Sequence, residues 1–141
     1  MFSKEESRKL REEFWIAFGK SYPRKWILYK TKIKGLSFKF HFDIKKAMVS
    51  IDIEGDLNKR IELWEKIISL KSILISEYQP EAHFEDYYLL DNRKEISRVY
   101  VIKEKVSIHN KNTWRETMEF LNEHMIAFET FYMEYKDIIQ L

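Results

Sequence analysis

Leu36, Phe38, Phe40 and Phe42 alternate with Ser37, Lys39, His41 and Asp43. That period of two sets large apolar groups on one face of a strand and polar groups on the other. Val49, Ile51 and Ile53 alternate in the same way with Met48, Ser50, Asp52 and Glu54. With residues 43–46 turning the chain, the two runs predict an antiparallel hairpin that is solvated on one side. A third strand is expected over Trp26–Lys32, just before them. Two more, at about 83–90 and 95–104, flank the turn Asp91-Asn92-Arg93-Lys94.

Helical spacing marks the rest of the chain. Ser3 and Glu6 form a capping box, and Leu10, Phe14, Ala17 and Phe18 make one apolar face, so a first helix is expected to end near residue 20. Asp56 is a suitable N-cap for a helix of about six turns carrying Leu57, Ile61, Trp64, Ile68, Leu70, Leu74, Ile75 and Tyr78, which Pro80 stops. After Asn110 or Asn112, the residues Trp114, Met118, Leu121, Met125, Phe128, Tyr132, Tyr135 and Ile139 form an unbroken seam. Phe120 and Phe131 widen it beyond a coiled-coil stripe, which suits packing on a sheet. The predicted order is α-β-β-β-α-β-β-α. It describes an α+β fold in which a mostly antiparallel sheet of about five strands packs with three helices.

Composition narrows the class. With 141 residues, the chain fits one domain spanning 1–141. Only 3 glycines and 2 prolines argue against disorder and against a turn-rich sandwich. Cysteine is absent, which removes disulfides, thiolate zinc sites and a cysteine nucleophile, and fits a cytoplasmic setting. The charged N-terminus does not read as a signal segment, and no apolar run is long enough to span a membrane.

Net charge is only +2, but it is unevenly spread. Residues 1–46 hold thirteen Lys/Arg against five Asp/Glu, whereas residues 112–141 hold two against six. Such a split can steer an anionic partner, or serve contacts within the chain or between two copies in a homodimer.

Three constellations carry possible chemistry. Lys30, Lys32, Lys34 and Lys39 lie in a basic segment interleaved with Tyr22, Trp26 and Tyr29. Cations neutralise phosphates and rings stack on bases, so a nucleic-acid surface is one reading; a solvated sheet face is the other. Asp43, Asp52 and Glu54 on adjacent strands are candidate metal ligands. With the element order they resemble PD-(D/E)XK nucleases, but the lysine expected two residues past the last acid is missing. Arg98 shares a strand face with Ile96, Tyr100 and Ile102. It needs a carboxylate or an anionic ligand, so Arg98, Tyr100 and Glu95 form a candidate anion site, with an internal ion pair as the alternative. The four histidines show no metal spacing, and no metalloprotease, phosphate-loop, dinucleotide or nucleophile-elbow motif occurs.

The opening F-S-K-E-E-S-R-K-L-R-E-E-F-W (2–15), the run K-E-I-S-R-V-Y (94–100), and Asn110 with Trp114 resemble the bacterial domain of unknown function 4268 family. The likeness spans nearly the whole chain. It implies no catalytic residue. Related domains at the C-terminus of longer proteins, some with nuclease-like segments, imply a binding or accessory role near nucleic acid or defence systems. Together these readings point to a non-catalytic binding or interaction module that uses no cofactor. A metal-dependent nuclease relative, active or degenerate, or another nucleic-acid-binding protein, is the alternative.

Overall fold

The computed structural model describes residues 2–141. Helix α1 spans Lys4–Ser21 and starts at the expected capping box, with Ser3 and Glu6 each accepting from the other's backbone N–H. Strands β1 (Leu36–Phe42) and β2 (Lys46–Ile53) follow. Helices α2 (Leu57–Ser69) and α3 (Lys71–Glu77) then lead to β3 (His83–Leu89) and β4 (Glu95–Glu104). A short 3-10 turn, Lys111–Thr113, precedes α4 (Trp114–Gln140). Asn110 caps that turn by accepting from the Asn112 N–H.

The strands form one antiparallel sheet in the order β1-β2-β4-β3. The α2–α3 connection carries the chain to the far edge, where β3 lies, and β4 returns between β3 and β2. The β1–β2 register pairs Ser37 with Asp52 and Phe42 with Ala47, so the alternation read from the sequence places both apolar rows on one face. Phe38, Val49, Ile51, Ile53, Val99 and Val101 from that face join Phe14, Phe18, Leu63, Ile67, Leu74, Leu121, Met125 and Phe128 from the helices in one buried cluster. Helix α4 packs chiefly against β2. Its 27 residues give about 40 Å of length, enough to cross the sheet.

Two expectations are corrected. Among the described residues the sheet has four strands, not five, because residues 26–32 form no strand. Leu28 (φ 47°) and Lys32 (φ 62°) adopt left-handed backbone, which breaks any period of two. The connection is held instead by side chains. Glu129 Oε2 accepts from the Ile27 N–H at 2.7 Å, and the Tyr132 hydroxyl donates to the Thr31 carbonyl at 2.5 Å. The described residues also form four α-helices rather than three. The helix expected to run to Tyr78 breaks at Leu70 (φ −103°, ψ 6°), whose N–H turns back to Ile67 and Ile68. No proline or glycine marks that break. Among the described residues no helix is long and apolar enough to cross a membrane.

Candidate functional site

Among the described residues no helix packs on the second face of the sheet. Met48, Ser50, Asp52 and Ile96 are nonetheless buried there, outside the main core cluster. The structure brings Asp52 and Arg98 together on this face. They are direct cross-strand partners on β2 and β4, an arrangement that only the three-dimensional register could reveal. Arg98 Nε donates to Asp52 Oδ1 at 2.7 Å and Nη2 donates to Oδ2 at 2.8 Å, a two-pronged fork. Asp52 is 0% exposed and Arg98 is 8% exposed. The Tyr88 ring lies 4.3 Å from the guanidinium carbon, and the Met48 sulfur lies 3.6 Å from Nη1. Burial works against the charge on Arg98, but Asp52 outweighs it and holds the guanidinium pKa above its ordinary value.

Further charges close around this pair. Lys39 Nζ lies 3.3 Å from Asp52 Oδ2 and 3.3 Å from Glu54 Oε2. Lys94 Nζ, from the β3–β4 turn, reaches Glu54 Oε1 at 2.5 Å. The Lys94 hydrogen bond is the main reason the Glu54 carboxyl titrates below its ordinary value, with Lys39 adding to it against burial. Burial alone would lower the Lys39 pKa, and the two carboxylates more than reverse that. Asp52 and Glu54 therefore share a cage of Arg98, Lys39 and Lys94.

Asp43 lies elsewhere. The register puts Ser37, not Asp43, opposite Asp52, so Asp43 sits at the hairpin turn at the other end of the strands. There its carboxylate pairs with His41 at 2.7 Å and accepts the N–H groups of Lys45 and Lys46. Burial pushes its pKa up, and these bonds more than offset that, leaving it lowered. Among the described residues no three His, Asp or Glu side chains gather as a metal would need.

Tyr100 shares the face of Arg98, but Glu95 does not. The strand alternation turns Glu95 toward the helical side, where it accepts from Arg60 Nη2 of α2 at 3.0 Å. Tyr100 stacks on His83 with ring centres 5.1 Å apart, and burial, with nearby Glu85, pushes its hydroxyl up to about 12. Arg98, Tyr88, Met48, His41, Lys46 and Asp43 line a depression of about 240 Å³. Its lining holds both cations, Arg98 and Lys46, and acids, Asp43 and Asp91.

The basic segment divides in two. Lys39 is taken up by Asp52 and Glu54, whereas Lys30, Lys32 and Lys34 are exposed on the α1–β1 connection and make no ion pair among the described residues. An open apolar groove of about 440 Å³ lies between α1 and the start of this connection, lined by Trp15, Phe18, Trp26 and Phe40 together with Arg24 and Lys25.

Sequence reasoning did not single out Glu129. This α4 carboxylate is buried and accepts from Arg24 Nη2 at 2.8 Å as well as from the Ile27 N–H. Its signal was present: it sits one step from Phe128 and three from Tyr132, inside the apolar seam, where a carboxylate needs partners.

No curated protein and no solved structure matches the chain. The family model for the domain of unknown function DUF4268 matches residues 10–136, from within α1 to near the end of α4, and so takes in the whole sheet and the Asp52–Arg98 pair. The chain belongs to the DUF4268 family.

Proposed function

We propose that the protein is a non-catalytic binding module. What carries this reading is the state of the charged groups on the uncovered sheet face. Both oxygens of Asp52 are engaged by Arg98, and Glu54 is held between Lys39 and Lys94. Hydrolysis assisted by a metal needs carboxylates that converge on an open position, with a base able to take a proton from water. Here the carboxylates already answer cations from the same chain. A half-buried aromatic surface with Arg24 and Lys25 beside it lies around Trp15, Trp26 and Phe40.

The test is a cleavage assay on single-stranded and duplex DNA and RNA with added Mg²⁺ or Mn²⁺. The module reading expects no cleavage above buffer. Cleavage that disappears in Glu54→Gln would overturn it in favour of a nuclease.

The exposed Lys30, Lys32 and Lys34 favour a second reading, nucleic-acid binding through the α1–β1 connection. It expects affinity for oligonucleotides that falls steeply with salt and with removal of those three lysines. Flat binding across salt concentrations would remove it. Association into a homodimer is a third arrangement, supported by the uneven charge along the chain. Sedimentation at two protein concentrations checks it, and a monomer at both would end it.

A further inference from the structure

We propose that the middle of the β1 edge receives an acidic, extended peptide segment of another protein, which adds to the sheet as a fifth strand. This inference rests on the binding-module reading and names the class of partner.

The edge is closed at both ends by the chain itself and open between them. Leu36, Phe38, Phe40 and Phe42 direct their backbone groups away from β2, as the Phe38 N–H shows by donating to the Leu28 carbonyl at 3.0 Å. The Leu36 N–H is taken by Ile33 and the Leu36 carbonyl by the Thr31 hydroxyl. Past the strand's other end, the Asp43 carbonyl accepts from the Ile108 N–H at 3.0 Å. Between these plugs, the N–H and C=O of Phe40 and the N–H of Phe42 have no partner among the described residues. Unpaired strand edges are templates for another strand, which recognises them through main-chain hydrogen bonds and through pockets for alternate side chains.

Pockets of that kind flank the window. Three depressions meet at Trp15 and Phe40 along this edge. Tyr29, 72% exposed, and Ile44, 53% exposed, stand near its two ends. Their linings contain Arg11, Arg24, Lys25 and Lys39 but a single carboxylate, Asp43. Arg11 and Lys25 make no ion pair among the described residues, so the charge left for a partner is positive. The complementary strand is acidic, with apolar side chains at alternate positions.

Other occupants fit less of this. A nucleic acid would use the rings and the cations but leave the main-chain window unpaired. A second copy could offer its own acidic edge strand, β3. That strand is broken by an irregularity between Glu85 and Tyr88, which interrupts the ladder a continuous pairing requires.

The experiment titrates the full ¹⁵N-labelled chain with a capped heptapeptide alternating glutamate with valine and phenylalanine. The expected result is saturable shifts of the Phe40 and Phe42 amides and slower hydrogen exchange at both. Phe40→Pro, which removes the donor at the window, is expected to abolish binding. Trp15→Ala leaves the backbone intact and covers the case in which the proline variant does not fold; it is expected to weaken binding at least ~10-fold, the range of a lost anchor contact. A peptide with lysine in place of glutamate is expected to bind at least ~10-fold more weakly. Absence of any change at Phe40 and Phe42 overturns the proposal. So does a twelve-residue oligothymidylate that produces those shifts and displaces the peptide, since that marks a nucleic-acid surface. Shifts at Phe40 that depend on protein concentration without peptide overturn it in favour of a second copy. These outcomes remove only this occupant, whereas the module reading itself falls to the cleavage assay.

Discussion

Asp52 is a fully buried carboxylate whose two oxygens face the Nε and Nη2 of Arg98. Removing one member of such a pair leaves the other charged and desolvated, which costs far more than the pair itself contributes. Arg98→Met is expected to destabilise the protein by about 3–5 kcal/mol. Combining it with Asp52→Leu is expected to restore much of that loss. A urea-denaturation double-mutant cycle measures both. His124 is a half-buried side chain whose pairing can also be tested. Gln79 Nε2 donates to the His124 carbonyl, so Gln79 Oε1 faces the ring at Nδ1, 2.7 Å away. Burial lowers the His124 pKa below its ordinary 6.5, more than Glu123 and Glu81 raise it. A lowered folded pKa means that the neutral ring stabilises the fold fully above 6.5, and that this contribution fades as pH falls below it. Stability is therefore expected to decline from pH 7 toward pH 5, and His124→Gln is expected to flatten that slope in denaturation curves measured across the range.

The elements divide into those their own periodicity defines and those that distant partners define. Strands β1 and β2 were legible because Phe38, Phe40 and Val49, Ile51 alternate strictly, and α4 because its seam runs from Trp114 to Ile139 without a gap. The α1–β1 connection was misread because Trp26–Lys32 looks strand-like in composition. Its conformation is set by Glu129 and Tyr132, more than 100 residues away in the chain. The break at Leu70 was equally silent, since its local support is a tightened turn, with the Leu70 N–H donating to the Ile67 carbonyl and the Ser69 hydroxyl to the Lys66 carbonyl. The site was legible in part. The need of Arg98 for a partner followed from its apolar neighbours, but choosing Asp52 required the register of β2 on β4. The expectation for this element is that Glu129→Ala releases the connection. Amides from Ile27 to Lys30 should exchange much faster, and stability should fall by about 2 kcal/mol, as when a part-buried N–H donor loses its acceptor. Hydrogen exchange read residue by residue checks the first, and urea denaturation the second.

At the scale of the molecule, the uneven charge of the chain is partly spent inside it. Arg24 from the basic third reaches Glu129 on α4, Lys103 reaches Glu116, and Lys111 reaches Glu13. What remains outside is a basic and aromatic surface around the β1 edge, opposite an edge strand, β3, that bears Glu85 and the exposed Tyr87 and Leu89. The uncovered sheet face between these edges holds the charges that resemble an active site, and they are closed on one another. A binding module, as opposed to a metal centre, requires that closure. Manganese(II), added in substoichiometric steps to the ¹⁵N-labelled protein, broadens amides near any site that binds it. With those charges closed on one another, no selective broadening is expected at Asp52, Glu54 or Arg98, and only weak effects at exposed carboxylates. Selective broadening of those three amides at low metal, reversed by a chelator, would contradict that closure and restore the sheet face as a metal centre.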